Sequence, residues 1–121
     1  MKKAVVIQPD GKWEYVEFTN DTFLSVFQKA VDGLVEPVDV RQGVTMWVNE
    51  EYLFRNDFEP NIVGTAMFEE ATGGTQVILG AIAITGGQDN EGYSDGLDGE
   101  ALATITKIAE FHETALSKLK K

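Results

Sequence analysis

The 121-residue chain contains no cysteine. Disulfides, thiolate nucleophiles and cysteine-held zinc are therefore excluded. Histidine occurs once, at His112, so a centre built from two or three imidazoles is excluded as well. Basic residues are scarce: ten face twenty acidic ones, for a net charge of -10. A protein that grips nucleic-acid phosphates needs the reverse balance. Long apolar runs are also missing. The longest, Val77 to Ile84, is interrupted by Gly80 and falls far below the roughly 20 residues that span a bilayer. Lys2 and Lys3 precede Ala4–Ile7, as in a signal peptide. That run stops at Gln8-Pro9-Asp10, short of the roughly 7–15 apolar residues such a peptide requires. The expectation is a soluble, cytoplasmic protein with no membrane partner.

What is present suits one folded domain over residues 1–121. Hydrophobic residues make up 43% and aromatics 10%, too much for a disordered acidic tail. Residues 4–7 are apolar and β-branched, and Pro9-Asp10-Gly11 signals a turn into a second strand from Trp13. Thr19 or Asn20 can cap a helix over 21–32, whose apolar face is Phe23, Leu24, Phe27, Ala30, Val31 and Leu34. Gly33 is placed to end it in a left-handed conformation. Residues 34–40 read as an extended segment at a sheet edge, because Pro37 cannot donate to a ladder. Val44–Val48 and Gln76–Thr85 read as further strands, the second buried on both faces. Pro60 and Asn61 open a short helix through Phe68. A last helix over 99–119 carries Leu102, Ile105, Ala109, His112, Leu116 and Leu119 on one stripe, broadened by Ile108, Phe111 and Ala115. The expected fold is α+β, a mixed or mainly antiparallel sheet of four or five strands packed by two main helices.

Three stretches resemble the DUF3846 family of domains of unknown function, found in phage, plasmid and actinobacterial proteins. They are GLVEPVDV at 33–40, MWVNEEYLFRNDFEPNIVGT at 46–65 and VILGAIAITGG at 77–87. The resemblance covers roughly residues 2–105 and carries Gly33, Glu36, Asn49, Glu50, Pro60, Asn61 and the Gly80–Ile84 strand. It implies a phage or mobile-element origin, with the host cytoplasm as the setting. It supplies no catalytic residue, and the last helix extends beyond what the family pattern needs.

Chemistry-bearing patterns are few. His112 sits within an apolar helix stripe, where packing is the simpler role than base or metal ligand. Asp89-Asn90-Glu91-Gly92 lacks the alternation of a calcium loop. The glycine pairs at 73–74 and 86–87 lack the Lys-Ser/Thr of a phosphate-binding loop. Glu50 and Glu51 are adjacent on extended chain and are expected to face opposite sides, so a carboxylate pair would require Glu36, Glu50 or Asp57 to converge through the tertiary fold. No catalytic residue, metal or cofactor is assigned, and the protein is read as a non-enzyme.

The remaining reading is protein–protein interaction with a host or phage protein. Tyr52, Phe54, Arg55 and Phe58 are the expected anchors. Asp57, Glu59, Asp89, Glu91 and Asp95 are expected to steer a basic partner. One alternative is a small-ligand pocket near Trp47, Asn49, Glu50 and Asn61, although both asparagines also suit turn capping. Another is an acidic DNA mimic, since residues 48–97 carry nine acidic side chains and one basic, Asp57, Glu59, Glu69 and Glu70 among them. The oligomeric state is left open. The charge yields a first prediction: duplex DNA does not bind this protein at physiological salt, as fluorescence anisotropy of a labelled duplex will show. Micromolar binding that weakens steeply with added salt would contradict it.

Overall fold

A computed structural model describes residues 1–119. Five strands form one sheet: β1 Lys2–Ile7, β2 Trp13–Phe18, β3 Val35–Arg41, β4 Val44–Asn49 and β5 Ile82–Gly86. Their order is β2-β1-β5-β4-β3, and every neighbouring pair is antiparallel. Three helices pack on the sheet: α1 Phe23–Val31, α2 Ile62–Thr72 and α3 Gly99–Leu119. The α+β expectation holds. None of these helices is long and apolar enough to cross a membrane.

The sheet is covered on both faces, which explains its near-continuous apolar strands. Val5, Ile7, Met46, Val48, Ile82 and Ile84 face α2 and α3, where Val63, Met67, Ile105 and Ala109 meet them. Ala4, Val6, Trp47 and Ala83 face the other way, towards Phe18 and Phe27 with Phe23 at the margin. Side chains alternate along a strand, so each buried strand serves two cores at once.

On the α1 face the packing is aromatic. Phe27 lies with its ring centroid 5.0 Å from Phe18 and 4.5 Å from Phe23, and Phe23 stands edge-on to Trp47 at 4.9 Å. Thr19 and Thr22 set the start of α1 by exchanging bonds. The Thr19 N–H donates to Thr22 Oγ1, and the Thr22 N–H donates to Thr19 Oγ1. This reciprocal arrangement has the logic of a capping box, with threonine in place of glutamate.

Four expectations need correction. The short helix expected after Asn61 runs on past Phe68 to Thr72, eleven residues in all, and joins the two main helices on the sheet. The last strand begins at Ile82, not Gln76. Gly80 has φ of 88°, and the main chain before it pairs with 59–61, Gly80 N–H to Glu59 O and Asn61 N–H to Ile78 O. An interior glycine marks such breaks. The left-handed residue closing α1 is Asp32, φ 61°, one place before Gly33. Finally, Phe111 and Leu119 do not join the packed stripe of α3; they are 69% and 78% exposed. The edge reading of β3 holds, with Pro37 opposite Trp47 and a bulge between Asp39 and Arg41.

Phe27 is fully buried among three other rings. Replacing it by alanine removes that contact and leaves a cavity, so Phe27→Ala is expected to cost about 3–5 kcal/mol. Urea unfolding followed by tryptophan fluorescence measures this directly, because Trp47 borders the site.

Candidate functional site

Strand direction sorts the loops onto two ends of the sheet. β4 ends and β5 begins at the end where β1 meets the 8–12 turn. That end therefore gathers residues 8–12, 32–34, 50–61 and 80–81. The opposite end gathers the first residues of β1, the turn at 42–43 and the glycine-rich loop 87–98. Five or six residues of strand separate them, about 15–20 Å. The expected contact residues thus fall into two groups. Tyr52, Phe54, Arg55, Asp57, Phe58 and Glu59 lie at the first end, and Asp89, Glu91 and Asp95 at the second.

At the first end, β4 leads into a single 3-10 turn at Tyr52–Phe54. Asn49 sets this exit. Its side chain is buried, and its Nδ2 donates to the carbonyls of Val31 and Asp32, at 3.1 and 3.0 Å. Its Oδ1 accepts from the Glu51 N–H at 2.8 Å. One carboxamide thus closes the C-terminus of α1 and starts the turn. Gly33 lets it approach, since a Cβ there would lie 2.6 Å from Asn49 Nδ2.

Arg55 fixes the rest of the turn. Its guanidinium pairs with Asp57 at 2.8 Å and Asp32 at 3.0 Å, and it donates to the Asp32 carbonyl at 3.2 Å. It also lies 4.1 Å over the Phe58 ring. The hydrogen bonds that Arg55 donates to Asp57 and then to Asp32 push its pKa up. The reciprocal hydrogen bond from Arg55 holds the Asp57 carboxyl below the usual carboxylate range. The contribution of this pair is present at neutral pH and is lost as the pH falls through the lowered pKa of Asp57.

The turn sorts its aromatics. Tyr52 is buried, and its hydroxyl bonds the Gln76 side chain. Burial chiefly raises its pKa. It is a core residue, which corrects its place among the expected anchors. Phe58 is partly buried against the core and Gly80. Phe54 is 87% exposed, and Leu53, which the sequence did not single out, is 61% exposed. An apolar residue in a stretch without periodicity reads as core, so nothing in the sequence flags Leu53.

A shallow cleft of about 400 Å³ lies beside this turn, lined in part by Asp10, Asp32, Asp57, Phe58 and Glu59. Its carboxylates disfavour anionic ligands. Trp47, Asn49, Glu50 and Asn61, the alternative ligand set, line none of the described clefts. Trp47 Nε1 donates to Thr85 Oγ1 inside the core. Asn61 is 1% exposed; its Nδ2 donates to the Ile7 and Gly80 carbonyls, and its Oδ1 accepts from Gly64 N–H as the cap of α2. Both asparagines thus do the capping work that the sequence also allowed. Glu50 is exposed, with its N–H bound to the Leu34 carbonyl.

At the second end the acidic loop is ordered by its own backbone. Asp89 Oδ1 accepts from the N–H groups of Glu91 and Tyr93. Asp95 bonds main chain to main chain with Gly86 and Gly87, and Leu97 with Lys3. A Cβ at Gly96 would lie 2.7 Å from Lys3 N, so the loop presses on β1 where only glycine fits. Lys2 Nζ donates to Ser94 O and Asn20 Oδ1. A cleft of about 760 Å³ opens here between the loop, Gly43 and the first turn of α3. His112 bonds the Ile108 carbonyl of its own helix through Nδ1, at 3.0 Å. Among the described residues, no three His, Asp or Glu side chains gather to hold a metal ion.

A five-stranded antiparallel sheet with α1 on one face and α2 and α3 on the other defines an α+β domain whose loops cluster at two acidic ends. The family pattern described as domain of unknown function (DUF3846) matches residues 1–110, and the chain belongs to that family. The match takes in all five strands, α1, α2 and the first half of α3. No curated protein and no solved structure matches the chain.

Asn61 offers a sharp test of the capping geometry. Asn61→Ala strands two buried carbonyls and one N–H, and is expected to cost about 2–4 kcal/mol. Asn61→Asp adds a pH dependence that the amide lacks. An ionised carboxylate would face the Ile7 and Gly80 carbonyls, so the folded pKa of the new acid rises above its unfolded value near ~3.9. The variant should match wild type best at low pH and lose ground as the pH rises above about 4. Urea midpoints of both proteins at pH 4 and pH 7 measure the difference.

Proposed function

We propose that this protein acts by stoichiometric binding to another protein, without catalysis, through the turn at 50–59. The observation that carries this reading is the exposed pair Leu53 and Phe54 on a turn that is fastened at both sides. Asn49 holds the turn at its start and Arg55 at its end. A surface phenylalanine at 87% exposure contributes nothing to the core. Held on a rigid turn, it loses little conformational freedom on binding, which favours affinity.

The surroundings define the partner's chemistry. Glu50, Glu51, Asp57 and Glu59 are exposed on the same segment as the apolar pair, and Arg55 is already paired with two aspartates. The complementary surface is an apolar pocket rimmed by lysine or arginine on a host or phage protein. The acidic rim governs association rate and partner choice, and the apolar pair governs residence time.

The test has two stages. A pull-down with mass spectrometry identifies a captured protein, and calorimetry with the purified protein measures its affinity for wild type and for Leu53→Ser/Phe54→Ala. The double variant is expected to keep the wild-type melting temperature and to bind at least about 100-fold more weakly, as befits two central anchors. Unchanged affinity would overturn the role of this turn. Raising the salt concentration should slow association far more than it speeds dissociation.

A further inference from the structure

The two edges of the sheet are not alike. β3 is blunted as edge strands usually are: Pro37 interrupts its donors and a bulge lies between Asp39 and Arg41. Its far end is tied to α2 by the Arg41–Glu70 ion pair at 3.1 Å. β2, at the other edge, has no such break, although the Tyr15 hydroxyl and Thr106 Oγ1 bond it to α3 at 2.9 Å. Trp-Glu-Tyr-Val-Glu-Phe contains no proline or glycine and pairs with β1 in unbroken register. Glu14, Tyr15 and Glu17 are exposed.

The hairpin fixes which backbone groups β2 leaves open. Gln8 N–H donates to the Lys12 carbonyl at 2.8 Å, so residues 8 and 12 are a hydrogen-bonded pair. Such pairs alternate along an antiparallel ladder. Val6–Glu14, Ala4–Val16 and Lys2–Phe18 are therefore the bonded pairs of β1 and β2. Trp13, Tyr15 and Glu17 turn their N–H and C=O groups outward, away from β1. No other strand of the described residues lies beyond them.

We propose that this edge pairs with the same edge of a second copy, antiparallel, about a two-fold axis through Tyr15. Only outward residues can bond to outward residues, so the axis must fall on a residue and not between two. An axis at Tyr15 alone uses all three: Tyr15 meets Tyr15 of the second copy, and Trp13 meets Glu17 in both directions. Each pair exchanges two bonds, about six in all. The same parity keeps Glu14 from facing Glu17. Glu14 falls opposite Val16, and the two tyrosines stand opposite each other, each with its hydroxyl on Thr106 of its own α3.

Charge does not oppose this arrangement locally. Lys2, Lys3 and Lys12 accompany Glu14 and Glu17, with Lys3 directly across from Glu17 and 5.0 Å from the Tyr15 ring centroid. Because the β3 edge is blunted, pairing stops at two copies and gives a closed ten-stranded sheet, not a filament. The Leu53–Phe54 turn lies off this edge, so the dimer stands or falls independently of the binding role proposed above.

Sedimentation equilibrium on the full chain is expected to give twice the monomer mass of 13.3 kDa at micromolar concentration. Glu17→Pro removes an outward N–H and leaves the β1 ladder intact, so it should shift the protein to monomer with near-native circular dichroism. Glu17→Ala keeps the N–H and should remain dimeric. Tyr15→Lys and Tyr15→Glu place like charges across the axis, so each alone should be monomeric and an equimolar mixture should restore a dimer. Should Glu17→Pro fail to fold, the Tyr15 pair decides alone. A wild-type monomer at all concentrations up to several hundred micromolar overturns the proposal. So does a dimer that survives the Tyr15 variants, and so does an edge whose Trp13, Tyr15 and Glu17 amides gain exchange protection only when a different protein is added.

Discussion

The carboxamide of Asn61 joins three elements that sequence separates widely. Its Nδ2 binds the last carbonyl of β1 and the carbonyl of Gly80, and its Oδ1 caps α2. The Asn61 N–H in turn holds the Ile78 carbonyl. Buried at 1% exposure, these bonds work in a medium where an unmet carbonyl is costly. The kink before β5, the start of α2 and the end of β1 are therefore one unit. The turn at 50–59 leans on that unit, because Glu59 O accepts from Gly80 N–H and Phe58 packs against Gly80.

Asn49 plays the matching part for α1. It gathers the helix C-terminus, the end of β4 and the first residue of the turn around one side chain. Two asparagines, both carried by the family resemblance, thus organise the same end of the sheet. Their amide groups are spent on main chain, and no buried side-chain polar atom among the described residues lacks a partner. The freedom left for function lies in what these supports hold out to solvent: Leu53, Phe54 and the surrounding carboxylates.

The length of the strands imposes a division of the acidic charge. Glu50, Glu51, Asp57 and Glu59 follow the end of β4, whereas Asp89, Glu91 and Asp95 follow the end of β5. Neighbouring antiparallel strands finish at opposite ends, so the two clusters are separated by the sheet. At about 15–20 Å they exceed a Debye length at physiological salt and act on a partner as separate fields.

The fold class was legible in the sequence because its signals are local. Period-two and period-three-to-four apolar patterns report strands and helices from a few neighbours, and Pro37 marked an edge because it lacks a donor. Asn49 and Asn61 were legible as residues of note, and their capping role was one of the two readings their chemistry allowed. Tyr52 and Leu53 were not separable from sequence, since adjacent apolar residues in a 3-10 turn point different ways and no periodicity says which is inward. Phe111 was read into the apolar stripe but faces solvent in the fold, because two residues beyond the buried Ala109 place it about 200° around the helix. Local patterns along the chain were enough for most of the elements, for the charge and for the lack of cysteine and of a second histidine. Only the tertiary structure decided which loops share an end, which aromatic is exposed and which edge of the sheet stays open, because strand order and direction are set by contacts between residues far apart in the chain.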